Sequence, residues 1–245
     1  MSEHPTRRDL SFAVRYLTLA PIGTAGALGP STLFFPLVGV AVGMAATAVD
    51  ALAAAFPDLL RAAVAALFLA VATRARGLRG LAHVGAAVAA GADRARALEV
   101  MQAPRASAAG YVVAGVAFAA KLWALFRPGP LRPWALLFAP MLGCWAMVVV
   151  AHNARLARVG APGPRFEPGI TFREFGWASV VAVGLALALL EAVGLVVALG
   201  AAVVAVVLRL LWHRWLGGLN EPTLHTTREA AEVAVLALFT LFASR

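Results

Sequence analysis

Long apolar segments alternate with short polar connections along most of this chain. Apolar runs of 18 or more residues recur, and a run of that length with few charges is typical of a membrane-spanning helix. A soluble domain would need an unusually long buried helix for each such run, so their recurrence excludes that class. The pattern predicts an all-α fold, a polytopic membrane helix bundle that forms a single integral-membrane domain over residues 1–245.

The apolar segments divide into about seven predicted transmembrane helices, at residues 32–56, 59–72, 108–126, 134–151, 175–190, 192–211 and 229–242. Glu191 separates the fifth from the sixth. We predict a turn there, because one helix over both segments would far exceed the roughly 20 residues that cross a bilayer. In the first span, Gly39 and Gly43 share a helix face, and small residues at this spacing are typical of close helix packing in lipid.

Two further helices are predicted outside the spans. Residues 7–20 form a short amphipathic pattern that ends before Pro21, and proline cannot continue a helix. This segment is too short and too charged to span, so we expect it to lie at the membrane interface. Residues 89–101 predict one amphipathic helix, with Val88, Leu98 and Met101 on its apolar side.

The charges are mostly arginine and lie between the spans. The chain is 62% hydrophobic with a formal net charge of +9, and its mean hydropathy is +0.83. Between membrane spans, arginines set orientation and meet anionic lipid, so membrane lipid is an expected partner and nucleic acid is not. Lysine and arginine number three in the N-terminus, six in 74–106, four in 153–173 and three in 209–228, whereas the alternate connections hold fewer. The bias predicts that the N-terminus and the 74–106 stretch are cytoplasmic and that the C-terminus lies outside.

The 74–106 stretch and its flanks carry a recognisable motif. Residues 73–88 read T-R-A-R-G-L-R-G-L-A-H-V-G-A-A-V, and residues 94–104 read R-A-R-A-L-E-V-M-Q-A-P. This segment resembles the active-site segment of the cobalamin synthase family (adenosylcobinamide-GDP ribazoletransferases), T-G-G-x-H-L-D-G-L-A-D-T-x-D-G followed by R-x-x-x-L-E-I-M-x-D-S. The shared frame is Thr73, Leu78, Gly80, Leu81, Ala82, Val88, Arg94, Leu98, Glu99, Val100, Met101 and Gly110. Weaker similarity runs from Leu17 to Glu232. The resemblance implies a multi-pass protein of the bacterial cytoplasmic (inner) membrane.

The carboxylates of that motif are missing. Where the family has aspartate, this chain has Arg79, His83, Ala86 and Ala103, and Gly77 stands where the family has histidine. In a C-terminal motif, Pro222 replaces another aspartate and His225 a glycine. Two acids of that region, Glu229 and Glu232, match the family's E-x-x-E.

The resemblance implies a transfer of cobinamide phosphate from adenosylcobinamide-GDP to α-ribazole with loss of GMP, assisted by Mg²⁺. Magnesium prefers oxygen ligands, commonly carboxylates. We therefore expect a catalytically degraded pseudoenzyme with no metal-ligating residue, and Mg²⁺ as a cofactor only if the chain is active. The Arg-rich cytoplasmic face is expected to bind a corrinoid, nucleotide or lipid headgroup, or a protein partner of the cobalamin pathway. The candidate ligand-binding residues are Arg79, His83, Arg94, Arg96 and Arg105.

Two alternatives remain open from the sequence. One is an active ribazoletransferase with a non-standard catalytic set of Glu99, Glu229 and Glu232; the other is a membrane transporter or assembly factor on the same scaffold. We expect Glu229 and Glu232 to pair with arginines of the 74–106 stretch, because an acid within or beside the bilayer normally takes a cationic partner. A cytoplasmic cavity with converging carboxylates would favour the enzyme, and an arginine-lined cavity would favour anion binding.

Overall fold

Every regular element of the structure is helical. The computed structural model describes residues 6–22, 28–91, 93–127, 129–157 and 170–243. The α-helices are α1 (Arg7–Leu17), α2 (Leu28–Ser31), α3 (Phe35–Leu52), α4 (Asp58–Ala72), α5 (Arg76–Ala89), α6 (Arg94–Gln102), α7 (Ala108–Phe126), α8 (Arg132–Ala151), α9 (Phe172–Leu216) and α10 (Glu221–Ala243). Short 3₁₀ helices occupy Thr32–Phe34 and Gly129–Leu131. The all-α prediction is confirmed over these ranges.

Four helical stretches within the described ranges are long and apolar enough to cross a membrane. They are Leu28–Leu52, Ala108–Phe126, Gly129–Ala151 and Phe172–Leu216. The membrane-bundle architecture is thus confirmed, but the expected count of seven spans is not. Helix α4 has only 15 residues, and α10 carries Arg228, Glu229 and Glu232 in its first half.

Helix α9 is a hairpin rather than one continuous rod. Glu191 has φ 50° and ψ −126°, which is not helical. A Cβ atom added at Gly194 would overlap the carbonyl oxygen of Ala186, whereas eight residues of unbroken helix would separate these positions by about 12 Å. The segments 172–190 and 192–216 therefore fold back on each other, and the predicted turn at Glu191 is confirmed.

Helix α8 forms the centre of the bundle and packs against α3, α9 and α10. Nearly all of its residues are buried. A Cβ atom at Gly39 would lie 2.6 Å from the Cα of Met141, and one at Gly43 would lie 2.8 Å from the Cα of Leu137. Only glycine permits so close a crossing, so the predicted packing role of Gly39 and Gly43 is confirmed.

The 74–106 stretch contains two helices, α5 and α6, and the single helix predicted at 89–101 is wrong. Helix α5 ends close to Gly91, whose φ of +57° lies in the left-handed region that glycine adopts at helix ends. Helix α6 then starts after Asp93, whose side chain accepts a hydrogen bond from the Arg96 backbone N–H at 2.9 Å. Val88 is exposed at the end of α5 and does not join the buried Leu98 and Met101 of α6.

The basic segments gather at one end of the bundle. Arg94 Nε of α6 donates to the Leu216 carbonyl at 2.8 Å, and Arg209 Nη1 donates to the His152 carbonyl. At the other end Asp50 accepts from Arg61 Nε at 3.0 Å and lies 3.6 Å from Arg132 Nη1. We call the end that holds Arg94 and Arg209 the basic end.

Candidate functional site

A cavity of about 430 Å³ opens at the basic end, between α5, the end of α6 and the start of α10. Helices α5 and α10 pack closely beside it, since a Cβ atom at Gly80 would lie 2.7 Å from the Pro222 carbonyl oxygen. The lining residues are Arg76, Arg79, Gly80, His83, Met101, Gln102, Asn220, Glu221, Pro222 and His225. Most of them carry polar groups, so the cavity suits a polar ligand.

The cavity is cationic. Arg76 and Arg79 lie three residues apart on α5 and so share a helix face. Glu221 is the one carboxylate among the described lining residues. Burial lowers the pKa of Arg76, but arginine remains charged at neutral pH. Two guanidinium groups against one carboxylate favour an anionic ligand.

Two histidines of the cavity carry unsatisfied ring nitrogens. His225 is 2% exposed and stacks on Tyr16 with ring centroids 5.4 Å apart. Among the described residues, His225 Nδ1 and Nε2 and His83 Nδ1 have no hydrogen-bond partner, and Glu221 Oε1, at 3.7 Å from His225 Nε2, is too distant to supply one. Buried polar atoms are normally paired, so these nitrogens, on side chains that line the cavity, lack the partners that such atoms usually have.

Arginine side chains hold the N-terminal helix, α1, beside the cavity by hydrogen bonds to its C-terminal carbonyl groups. Arg76 Nη1 donates to the Tyr16 carbonyl, and its guanidinium lies 5.3 Å from the centroid of the Tyr16 ring. Arg74 donates to the Leu19 carbonyl at 3.3 Å, and Arg228 to that of Leu17 at 3.5 Å. Cations at a helix C-terminus satisfy its free carbonyls and its dipole. Helix α1 therefore forms part of the site's surroundings.

The structure brings only part of the predicted ligand-binding set to the cavity. Arg79 and His83 line it. Arg94, held by the Leu216 carbonyl, and the exposed Arg96 and Arg105 do not. Helix α6 turns Leu98 and Met101 into the core, and this leaves Arg96 on the outer face.

Sequence reasoning missed several lining residues, above all Arg76, Asn220, Glu221 and His225. The spacing of Arg76, Arg79 and His83 would have placed the three on one helix face if residues 76–89 had been predicted as a helix. No comparable signal pointed to Tyr16, whose contact with His225 joins segments far apart in the chain.

Glu229 and Glu232 belong to a buried ion cluster and not to the cavity lining. Lys121 Nζ contacts Glu229 and lies 2.8 Å from Glu232 Oε2, while Arg228 Nε lies 2.7 Å from Glu232 Oε1. Each of the four side chains is at most 7% exposed. The predicted pairing with arginines of the 74–106 stretch is therefore wrong, because Lys121 of α7 and Arg228 of α10 itself are nearer.

Glu99, the third acid of the alternative catalytic set, lies elsewhere. It is 54% exposed on α6 and pairs with Arg96 at 3.0 Å. Among the residues that the structure describes, no group of three or more histidine, cysteine or acidic side chains is placed to hold a metal ion. The geometry thus separates Glu99 from the Glu229–Glu232 pair.

Comparison with known proteins assigns the family. The family model for cobalamin-5-phosphate synthase matches residues 9–240. The chain is 34% identical to the adenosylcobinamide-GDP ribazoletransferase of Syntrophobacter fumaroxidans, over 92% of this chain and 95% of that protein. It is 33% identical to the enzyme of that name from a Roseiflexus species, over 94% and 88%. No solved structure matches the chain.

These matches define a membrane protein of cobalamin biosynthesis. The chain belongs to the cobalamin-5-phosphate synthase family, and the expected resemblance is confirmed. Its relatives are named as transferases.

The residues at the site do not fit the Mg²⁺ ion that the family resemblance implies. Of the positions where the family motif has aspartate, Arg79, His83 and Pro222 line the cavity, and Ala86 is buried against the position of Gly110. Magnesium requires several oxygen ligands in an octahedron, but the cavity offers Glu221 beside two guanidinium groups. A cation at position 79 repels a metal ion at close range.

Proposed function

We propose that this chain binds adenosylcobinamide-GDP at the cationic cavity, through the pyrophosphate, and lacks the Mg²⁺-dependent transfer of its relatives. The observation that carries this proposal is the pair Arg76 and Arg79, which line a cavity of about 430 Å³. Of the two, Arg79 stands where the family motif has aspartate. The proposal extends to this chain the substrate class in the relatives' names.

The lining suits a pyrophosphate. A guanidinium group donates two parallel charge-assisted hydrogen bonds to phosphate oxygens. The volume lies within the range of small-molecule sites, roughly 300–1,000 Å³. The cavity opens at the basic end beside α6 and α10, so the nucleotide end would enter while the much larger corrin ring remains at the mouth.

Replacing Arg79 tests this proposal. In lipid nanodiscs, Arg79→Gln should weaken adenosylcobinamide-GDP binding by about 10- to 100-fold, because a hydrogen bond to a charged group contributes about 1.5–3 kcal/mol. The dissociation constant is measured by titration calorimetry in the absence of added Mg²⁺.

Arg127→Gln is the matched control. Arg127 is exposed near the end of α7 and lines a separate pocket with Thr240 and Ala243 of the far end of α10. The change removes the same charge away from the cavity, so binding should not change. No binding by the unaltered protein, or equal losses in the two variants, would contradict the proposal.

The two alternatives receive less support. An active enzyme that uses Glu99, Glu229 and Glu232 would need these acids in one site, and Glu99 is apart from the other two. A transporter or assembly factor would need a continuous polar path or a protein partner, and no described contact favours either.

We also propose that the basic end faces the cytoplasm. The described parts of the arginine-rich connections that hold Arg94, His152 and Arg209 lie at this end, which supports the orientation expected from the charge. A reporter fused after Arg245 should therefore lie outside the cytoplasm, and one inserted near Arg165 should lie inside; both positions are outside the residues that the structure describes. Alkaline phosphatase and fluorescent-protein fusions measure this. Reversed results for both fusions would overturn the orientation. The same side for both reporters would overturn the expected number of membrane crossings between them.

A further inference from the structure

His225 has the placement of a ligand-contacting residue. It lies in the second turn of α10, before the apolar part of that helix, and lines the cavity together with Arg76 and Arg79. The imidazole is packed on Tyr16 and is 2% exposed, yet neither ring nitrogen has a hydrogen-bond partner among the described residues. A buried polar atom without a partner destabilises the protein, and a bound anion would accept a hydrogen bond from a protonated ring nitrogen.

We propose that His225 contacts the bound phosphate group directly and takes up one proton as the ligand binds. The cavity then binds its phosphate-bearing ligand more tightly as the pH falls from weakly alkaline to weakly acidic values. This inference rests on the proposed function but concerns a different residue and a different observable.

The surroundings of His225 favour its neutral imidazole in the ligand-free protein. Burial is the main cause that lowers the pKa of His225, and the nearby guanidinium groups of Arg228 and Arg76 act in the same direction. Glu221 opposes them but does not prevail. The titratable and charged groups around the ring or its cavity are Tyr16 of α1, Arg76, Arg79 and His83 of α5, and Glu221 and Arg228 of α10.

A bound phosphate changes this balance. Its negative charge favours the protonated imidazole, so the pKa of His225 in the complex lies above that in the free protein. When the pH lies between these two pKa values, ligand binding is accompanied by uptake of a proton. The affinity then rises by up to tenfold for each unit by which the pH falls. Below the free-state value, which is lower than the usual 6.5, the dependence disappears because His225 is already charged.

Adenosylcobinamide-GDP is a suitable probe because its pyrophosphate is esterified at both ends. It lacks the second ionisation, with a pKa of about 6, that a phosphate monoester would add. The dissociation constant for the full chain in nanodiscs, measured from about pH 8 down to about pH 5, should fall by up to about tenfold per pH unit between the bound-state and free-state pKa values of His225. Calorimetry in two buffers of different ionisation enthalpy should show uptake of up to one proton.

Variants at three positions separate the possible sources of a pH dependence. His225→Gln should keep measurable binding with a flat pH profile, and His225→Asn serves if the glutamine variant does not fold. His83→Gln should retain the slope, since His83 is the other histidine of the cavity. Arg79→Gln should weaken binding at every pH and leave the slope in place.

The outcomes distinguish this inference from the proposed function. Binding by the unaltered protein that is independent of pH, with no proton uptake, would overturn the role of His225 and leave the proposed function standing. A slope that persists in both His225 variants, or that disappears only in His83→Gln, would also overturn it. Absence of any binding would overturn both.

Discussion

Purified protein in lipid, supplied with adenosylcobinamide-GDP, α-ribazole and Mg²⁺, should release no GMP above background and form no measurable cobalamin. The family motif has aspartate at five positions where this chain carries Arg79, His83, Ala86, Ala103 and Pro222. The cavity that three of these positions line has one carboxylate among its described residues, Glu221.

The expected loss of rate is large because phosphoryl transfer depends on neutralising charge that is spread over the transferred group. A metal ion contributes several kcal/mol of this stabilisation, and every ~1.4 kcal/mol is a tenfold change in rate. Arginine at position 79 can bind a phosphate in the ground state, but it also repels a metal ion beside it. Binding without turnover is therefore the expected behaviour.

Chromatography of GMP and cobalamin checks this, with the related Syntrophobacter fumaroxidans protein as the positive control. Arg79→Asp alone should not restore turnover, because Ala86, Ala103 and Pro222 still supply no carboxylate. Turnover within an order of magnitude of the relative, abolished by Glu99→Gln or Glu232→Gln, would refute the pseudoenzyme hypothesis and support the alternative catalytic set.

The features that were predictable from sequence depend on local patterns. The break at Glu191 followed from the excessive length of one uninterrupted apolar run, and the structure has a hairpin there. The close crossing at Gly39 and Gly43 followed from their spacing. Arg79 and His83 were found because the motif frame aligns them with known site positions, and they line the cavity.

The features that could not be predicted depend on contacts between distant segments. Lys121 is buried against Glu232, which is 111 residues away in sequence. Hydropathy cannot show which of several helices brings a counter-ion. The same limit applies to Tyr16, whose position beside His225 depends on how α1 docks.

The buried ion cluster leads to the second prediction with a large effect. Lys121, Arg228, Glu229 and Glu232 join α7 to α10, with opposite charges in contact. Helix α8 packs directly against the cluster, since a Cβ atom at Gly143 would lie 2.5 Å from Glu232 Cγ. Water therefore cannot replace a partner that is removed.

Glu232→Gln should lower the free energy of unfolding by about 3–5 kcal/mol, because it leaves Lys121 and Arg228 buried with one carboxylate fewer. Denaturant titration in mixed micelles measures the loss. Glu99→Gln is the control, since it breaks the exposed Arg96–Glu99 pair and should cost no more than about 1 kcal/mol. Similar small losses in both variants would contradict a structural role for the cluster. Stability that rises with added Mg²⁺ in the unaltered protein, but not in Glu232→Gln, would instead identify Glu232 as a metal ligand.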